Sequence, residues 1–231
     1  MINFENTKTR LYENFIRAIA NSIVQKIDFE KLDKEGKSFL TKTKERLRFD
    51  NDKGWKFLTS SLDTIGDSQF AIVTFINHKI ENNNKFNTGE NYLRLYGLLS
   101  AIYIQQQAIL KLSDLFKTGQ IDSLKKDFDN LKITFLRHCI SAHPVNYDSN
   151  GTKVSFKIDR NSLNDNGLLS IRDESNNAEV YNVFEALGEY TTMTEKCLET
   201  ICQKMISNCY NSAKEKCDEL NNELKKIKNS R

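Results

Sequence analysis

Apolar positions along the chain fall into runs with helical spacing, interrupted once by a stretch of strict alternation. Over residues 9–27, Leu11, Phe15, Ile19, Ile23 and Ile27 recur every fourth position and Ile16 and Val24 widen the stripe, which predicts an amphipathic helix. A basic stretch follows from Lys42 to Arg48; Glu45 and Leu47 interrupt it, so it reads as a solvated helix face rather than a phosphate-binding run. Asn51, Asp52, Lys53 and Gly54 form a connection, dividing an N-terminal helical segment, residues 1–53, from a main domain, residues 54–231. Residues 54–79, from Trp55 through Phe57, Leu62, Phe70 and Ile76, predict a core helix or a helix pair broken near Gly66, and Asn82, Asn83 and Asn84 mark a loop.

The next run, from Asn91 to Gly119, is apolar round much of its circumference and is expected at the centre of the fold, with Tyr92, Tyr96 and Tyr103 assigned to core packing by their spacings of four and seven. Asp122 is placed as the cap of a further helix running to Ile140, which must end at Pro144 because the residue before proline avoids the α region. Val154, Phe156 and Ile158 then alternate with Lys153, Ser155 and Lys157, and Leu168, Leu169 and Ile171 supply a partner, so a β-hairpin is expected at about 152–172. The remaining run, residues 179–228, keeps apolar spacings of three and four over about 50 residues, near 75 Å of helix, and either breaks or projects. The pattern predicts an all-α, up-and-down helical bundle with a small β-hairpin insertion and a long C-terminal helix; a coiled-coil scaffold also fits the intervals of that last helix.

Composition narrows the function classes. Thirty-four Lys and Arg against 31 Asp and Glu leave a net charge of +3 over 231 residues, which points to neither nucleic acid nor a membrane surface. A hydrophobic content of 39%, with 14 Phe and 8 Tyr, excludes intrinsic disorder, and with no apolar run near 20 residues no membrane span is expected. The N-terminus lacks the pattern of a secretory signal, so a cytoplasmic location is expected. The five cysteines match neither zinc-knuckle spacing nor a disulfide framework and are read as reduced, structural residues. No cofactor or metal is expected, since no Asp, Glu and His cluster has ligand spacing.

Two scarcities coincide. The single proline, Pro144, directly follows one of only three histidines, in Phe135-Leu136-Arg137-His138-Cys139-Ile140-Ser141-Ala142-His143-Pro144. Six positions separate Arg137 from His143, nearer to two helical turns than to opposite faces, so both can face one groove. A permanently charged planar guanidinium suits phosphate oxygens, and an imidazole titrates near neutral pH. That pair suits metal-independent RNA cleavage: histidine moves a proton at the ribose 2′-hydroxyl or the leaving oxygen, arginine stabilises the phosphorane-like transition state, and a 2′,3′-cyclic phosphate results. A helix-ending pair whose cation satisfies last-turn carbonyls is the plainer alternative. His78 reads as a surface histidine.

At these residues the chain resembles the HEPN superfamily, whose signature is an arginine followed by a polar residue and, after four to six intervening positions, a histidine. Arg137, His138 and Ala142-His143-Pro144 carry the resemblance, with support from the helix bearing Tyr92 to Ala101 and Gln105 to Ala108. The resemblance implies an HEPN-like helical bundle and a homodimer whose two motifs meet across its interface. It also implies an RNA substrate, a toxin or phage-defence setting, and control by an antitoxin or regulatory protein. Arg137 and His143 map onto the catalytic pair and His138 onto the supporting polar position. Where some HEPN toxins carry a tyrosine two residues after the histidine, this chain has Val145, which argues against control by modification of that tyrosine. The alternative implied by the resemblance is a non-catalytic HEPN-like module that binds RNA or protein.

Overall fold

The computed structural model describes residues 1–81, 88–142, 144–145, 147–149, 152–159, 162 and 167–230. After a short 3-10 turn at Phe4–Asn6 the chain forms α1 (Lys8–Val24), α2 (Phe29–Glu35), α3 (Phe39–Leu47), α4 (Gly54–Glu81) and α5 (Thr88–Phe116). These are followed by α6 (Ile121–Asp129), α7 (Lys132–Arg137) and a π-helical turn at His138–Ala142. Five short strands come next: β1 (Tyr147–Ser149), β2 (Thr152–Val154), β3 (Phe156–Ile158), β4 (Leu168–Asp173) and β5 (Ala178–Asn182). The chain closes with α8 (Val183–Tyr210) and α9 (Lys214–Asn229). The architecture is mainly helical with a small β insertion, and no helix among the described residues is long and apolar enough to cross a membrane.

Helices α1, α4, α5 and α8 share one core, in which Ile16, Leu58, Leu62, Ile65, Leu99, Ile102, Leu198 and Ile201 are fully buried. The predicted stripe of α1 supplies its share, since Phe15, Ile16, Ile19 and Ile23 all face inward. A polar chain runs through the centre. Gln105 Nε2 donates to Gln69 Oε1 (3.3 Å) and to the Ile65 carbonyl (3.4 Å), and Tyr190 Oη lies 3.0 Å from Gln105 Oε1 and 3.1 Å from the Ile102 carbonyl. These bonds tie α4, α5 and α8 together without leaving the glutamine unsatisfied.

Gly66 does not break its helix: α4 runs through it. A Cβ there would stand 3.1 Å from Arg10 Nη1, so the glycine makes room for a charged group on α1. That group is Arg10, which donates to the fully buried Glu13; Glu13 also accepts, at 2.7 Å, from Arg17 Nε, and Arg17 reaches on to Asp63 of α4 at 2.9 Å.

Two elements depart from expectation. The helix placed over Asp122 to Ile140 is two helices, because Phe128 and Ile133, five residues apart and so about 140° apart on one continuous helix, are both fully buried. The chain breaks at Asn130 and Leu131, the latter extended, and Gln120 rather than Asp122 precedes α6. Of the two outcomes open to the long C-terminal run, it takes the break, between Tyr210 and Lys214. Folding back lets α9 bury Leu220 and Leu224, while Lys228 Nζ pairs with Glu199 at 2.8 Å.

The insertion is larger than a hairpin. Ser155 divides the alternating run: Val154 pairs with Tyr147 in a two-stranded ribbon, whereas Phe156 pairs with Asp173 in a three-stranded antiparallel sheet of order β3-β4-β5. The third strand, β5, occupies residues expected to begin the last helix, and Asn182 caps α8 by accepting from the Phe184 and Glu185 amides. Gly167 joins sheet to helix: its φ is +73°, a Cβ there would meet the Phe184 ring at 2.4 Å, and its carbonyl accepts from Val183 N at 2.8 Å. The asparagine loop expected at Asn82–Asn84 lies outside the described residues.

Candidate functional site

Helix α7 is a short amphipathic turn held down by Ile133, Thr134 and Leu136, which leaves Arg137 half-buried at its end. The backbone then widens into the π turn, which buries Cys139 and Ile140, and the Ser141 hydroxyl donates to the Arg137 carbonyl at 3.1 Å. π turns insert a residue into the helical register and so re-aim the side chains that follow them. The exit is fixed by the sheet, where Phe156 N donates to the Pro144 carbonyl at 2.7 Å. Proline and π turn together mark the expected endpoint, and His143 between them lies outside the described residues.

Arg137 and His138 are consecutive and diverge. The Arg137 guanidinium carbon sits 3.7 Å from the centroid of the Tyr103 ring on α5, within cation–π range. Among the described residues no carboxylate forms an ion pair with Arg137, so its charge is cradled by an aromatic face rather than neutralised. His138 instead stands beside Tyr147 of β1, ring centroids 6.2 Å apart. It thereby adjoins an aromatic cluster in which Phe135 meets Tyr147, Phe156 and Tyr181 at 5.8, 5.9 and 5.9 Å.

Tyr103 is the residue the spacing argument misplaced. Assigned to the core, it is 37% exposed, and Tyr96 on the same face is also exposed. Both belong to a line down α5, Leu93, Tyr96, Gly97, Ser100, Tyr103 and Ile104, that is exposed throughout while the opposite faces of the helix are buried. Intervals of three and four give this line the same period as the core positions, so periodicity alone does not separate them; the aromatic and aliphatic content round the whole helix was the available signal.

Burial and charge settle what neighbouring groups can do. Burial, reinforced by Glu179, pushes the Cys139 thiol up to about 12, so it is a packing residue and not a nucleophile at neutral pH. Burial also raises the Tyr147 phenol, with Cys139 and Asp148 acting in the same direction. All five cysteines are free, with Cys139, Cys197 and Cys202 buried. Among the described residues no group of three His, Cys, Asp or Glu side chains is placed to hold a metal ion. The fold and site together define a mainly helical protein with an arginine, at a π-helical turn, that has no carboxylate partner among the described residues. No protein-family model, curated protein or solved structure matches the chain.

Proposed function

We propose that the protein is an HEPN-type, metal-independent endoribonuclease that works as a homodimer. Arg137 binds the scissile phosphate, His143 moves the proton at the ribose 2′-hydroxyl or leaving oxygen, and His138 supports the pair. The observation that carries this reading is Arg137 itself: its guanidinium lies on the Tyr103 face with no carboxylate partner among the described residues, next to a helix end that Pro144 and the π turn hold in place. An arginine meant only to end a helix has no need of such a cradle. The exposed line on α5 supports the dimer. Leu93 is 72% and Ile104 46% exposed, Gly97 and Ser100 between them allow close approach of a second helix, and Tyr103 places Arg137 at the edge of that surface.

The test is cleavage of a mixed-sequence RNA in excess chelator by the wild type, Arg137→Ala and His143→Ala. Cleavage that survives the chelator, leaves 2′,3′-cyclic phosphate ends and falls at least about a hundredfold in each variant is the expected result. Intact RNA with the wild type, or equal cleavage by the variants, overturns it in favour of a non-catalytic module. Ile104→Glu is expected to give a monomer by light scattering and to lose cleavage with it.

A further inference from the structure

Beyond Arg137, the β insertion encloses a second feature, a cavity of about 330 Å³ between the ribbon, the sheet and α7. Its walls include four aromatic rings, Phe135, Tyr147, Phe156 and Tyr181, and two carboxylates, Asp173 and Glu179; among the described residues no lysine or arginine lines it. Three of the rings brace one another edge to face, with centroids 5.8 Å apart for Phe135 and Tyr147, 5.9 Å for Phe135 and Phe156 and 5.6 Å for Tyr147 and Phe156, which fixes their orientation beside the cavity. A flat ligand such as a nucleobase prefers parallel faces, and the phosphates that accompany it disfavour an acidic lining.

The carboxylates are fixed in place. Asp173 accepts from the Asn177 amide N–H and side-chain amide, both at 2.9 Å, and these bonds hold its carboxyl below the usual range. Glu179 accepts the Tyr181 hydroxyl proton, which pins that ring and enriches its π-system. Two basic side chains on the neighbouring strands are paired away from it, Lys153 with Asp148 at 3.0 Å and Arg172 with Asp159 at 3.6 Å. The chain therefore surrounds this cavity with negative charge and π-faces and, among the described lining residues, supplies no cation to it.

We infer that the cavity is a binding site for an organic ammonium cation, whose charge is held by the faces of Tyr147, Phe156 and Tyr181 and by the carboxylates of Glu179 and Asp173. Two sources share that chemistry: a free quaternary amine, or a methylated lysine side chain presented by another protein. The cavity adjoins the candidate RNA site through the contact of His138 with Tyr147, but its ligand is read by binding and not by cleavage, so the two readings fail independently.

The experiment is titration of the full chain by calorimetry with choline, with its uncharged isostere 3,3-dimethylbutan-1-ol, with a trimethyllysine peptide and with guanosine monophosphate. The aromatic resonances of Tyr147 and Tyr181 are followed by NMR to locate binding. Choline is expected to shift both tyrosines and to bind at least about tenfold more tightly than the isostere. Glu179→Gln, which keeps the shape of the wall, is expected to weaken choline by about threefold to tenfold, and Tyr181→Phe, which keeps the ring, by less. A peptide that binds more tightly than choline identifies a protein source, and equal affinity a free amine. Equal binding by the isostere, binding of the nucleotide alone at these rings, or no shift of either tyrosine with any cation overturns the inference. Unchanged thermal melting of Glu179→Gln separates lost affinity from lost folding.

Discussion

Glu13→Gln tests whether the buried charge network on α1 works as described. Glu13 is fully buried between Arg10 and Arg17, whose side chains are 23% and 35% exposed. Removing one member of a buried ion pair costs about 3–5 kcal/mol where the remaining charge has nowhere to turn. Here each arginine keeps a second carboxylate, Glu5 at 3.3 Å for Arg10 and Asp63 at 2.9 Å for Arg17, and each keeps part of its hydration. The glutamine carbonyl also still accepts one bond. The expected loss therefore falls below that range, about 2–3 kcal/mol. For a chain of this size that lowers the melting temperature by about 4–12 °C. Urea and thermal unfolding followed by circular dichroism measure it. Asp63→Asn is the internal comparison: with a side chain 64% exposed, it is expected to cost less than about 1 kcal/mol. A Glu13→Gln loss within about 0.5 kcal/mol of wild type, or one no larger than that of Asp63→Asn, refutes the reasoning, because it means the two arginines lose nothing when their buried partner is neutralised.

Two further outcomes are expected. Burial raises the Glu195 carboxyl above its ordinary value, and Lys8 only partly opposes that. An acid whose folded pKa is raised favours the fold when protonated and opposes it when ionised, so this destabilisation is absent below the unfolded value and appears as pH rises through the folded one. Glu195→Gln should accordingly melt higher than wild type at pH 7, with the difference shrinking as the pH falls through the carboxylate range; a difference of opposite sign refutes it. Thiol labelling of the native protein at pH 8 should reach Cys217 first, because Cys139, Cys197 and Cys202 are buried and burial pushes even the half-exposed Cys209 up to about 11. Mass spectrometry of quenched samples reads the order, and early labelling of Cys202 contradicts the packing.

The apolar spacing alone specified the long helices of the core, because a 3.6-residue period is a local property that any helix burying one face must display. It located α1, α4 and α5 and the start of α8 to within a few residues, and the helix end before Pro144 follows from proline's missing amide hydrogen and steric demand. It left open where long apolar runs break. Gly66 reads as a possible helix end, yet it serves close packing against Arg10; Asn130 reads as helix interior, yet it turns Phe128 and Ile133 to one core. Those outcomes depend on what lies across the interface, which no local pattern contains.

The same division holds at the candidate site. Arg137, His138 and Pro144 stand out from composition and order, because rare residue types close together are visible in any sequence. That Arg137 rests on Tyr103 was not visible, since 34 positions separate them and the apolar face of α5 that stays exposed has the same period as the face that is buried. Nor was the aromatic cavity, whose rings come from α7, β1, β3 and β5, brought together by a break at Ser155 and a third strand that the helical spacing concealed. The sequence by itself determined which segments coil and which residues can do chemistry, since both follow from neighbours along the chain. Only the tertiary structure decided which faces are covered and which side chains meet, because burial and contact are properties of elements packed against one another.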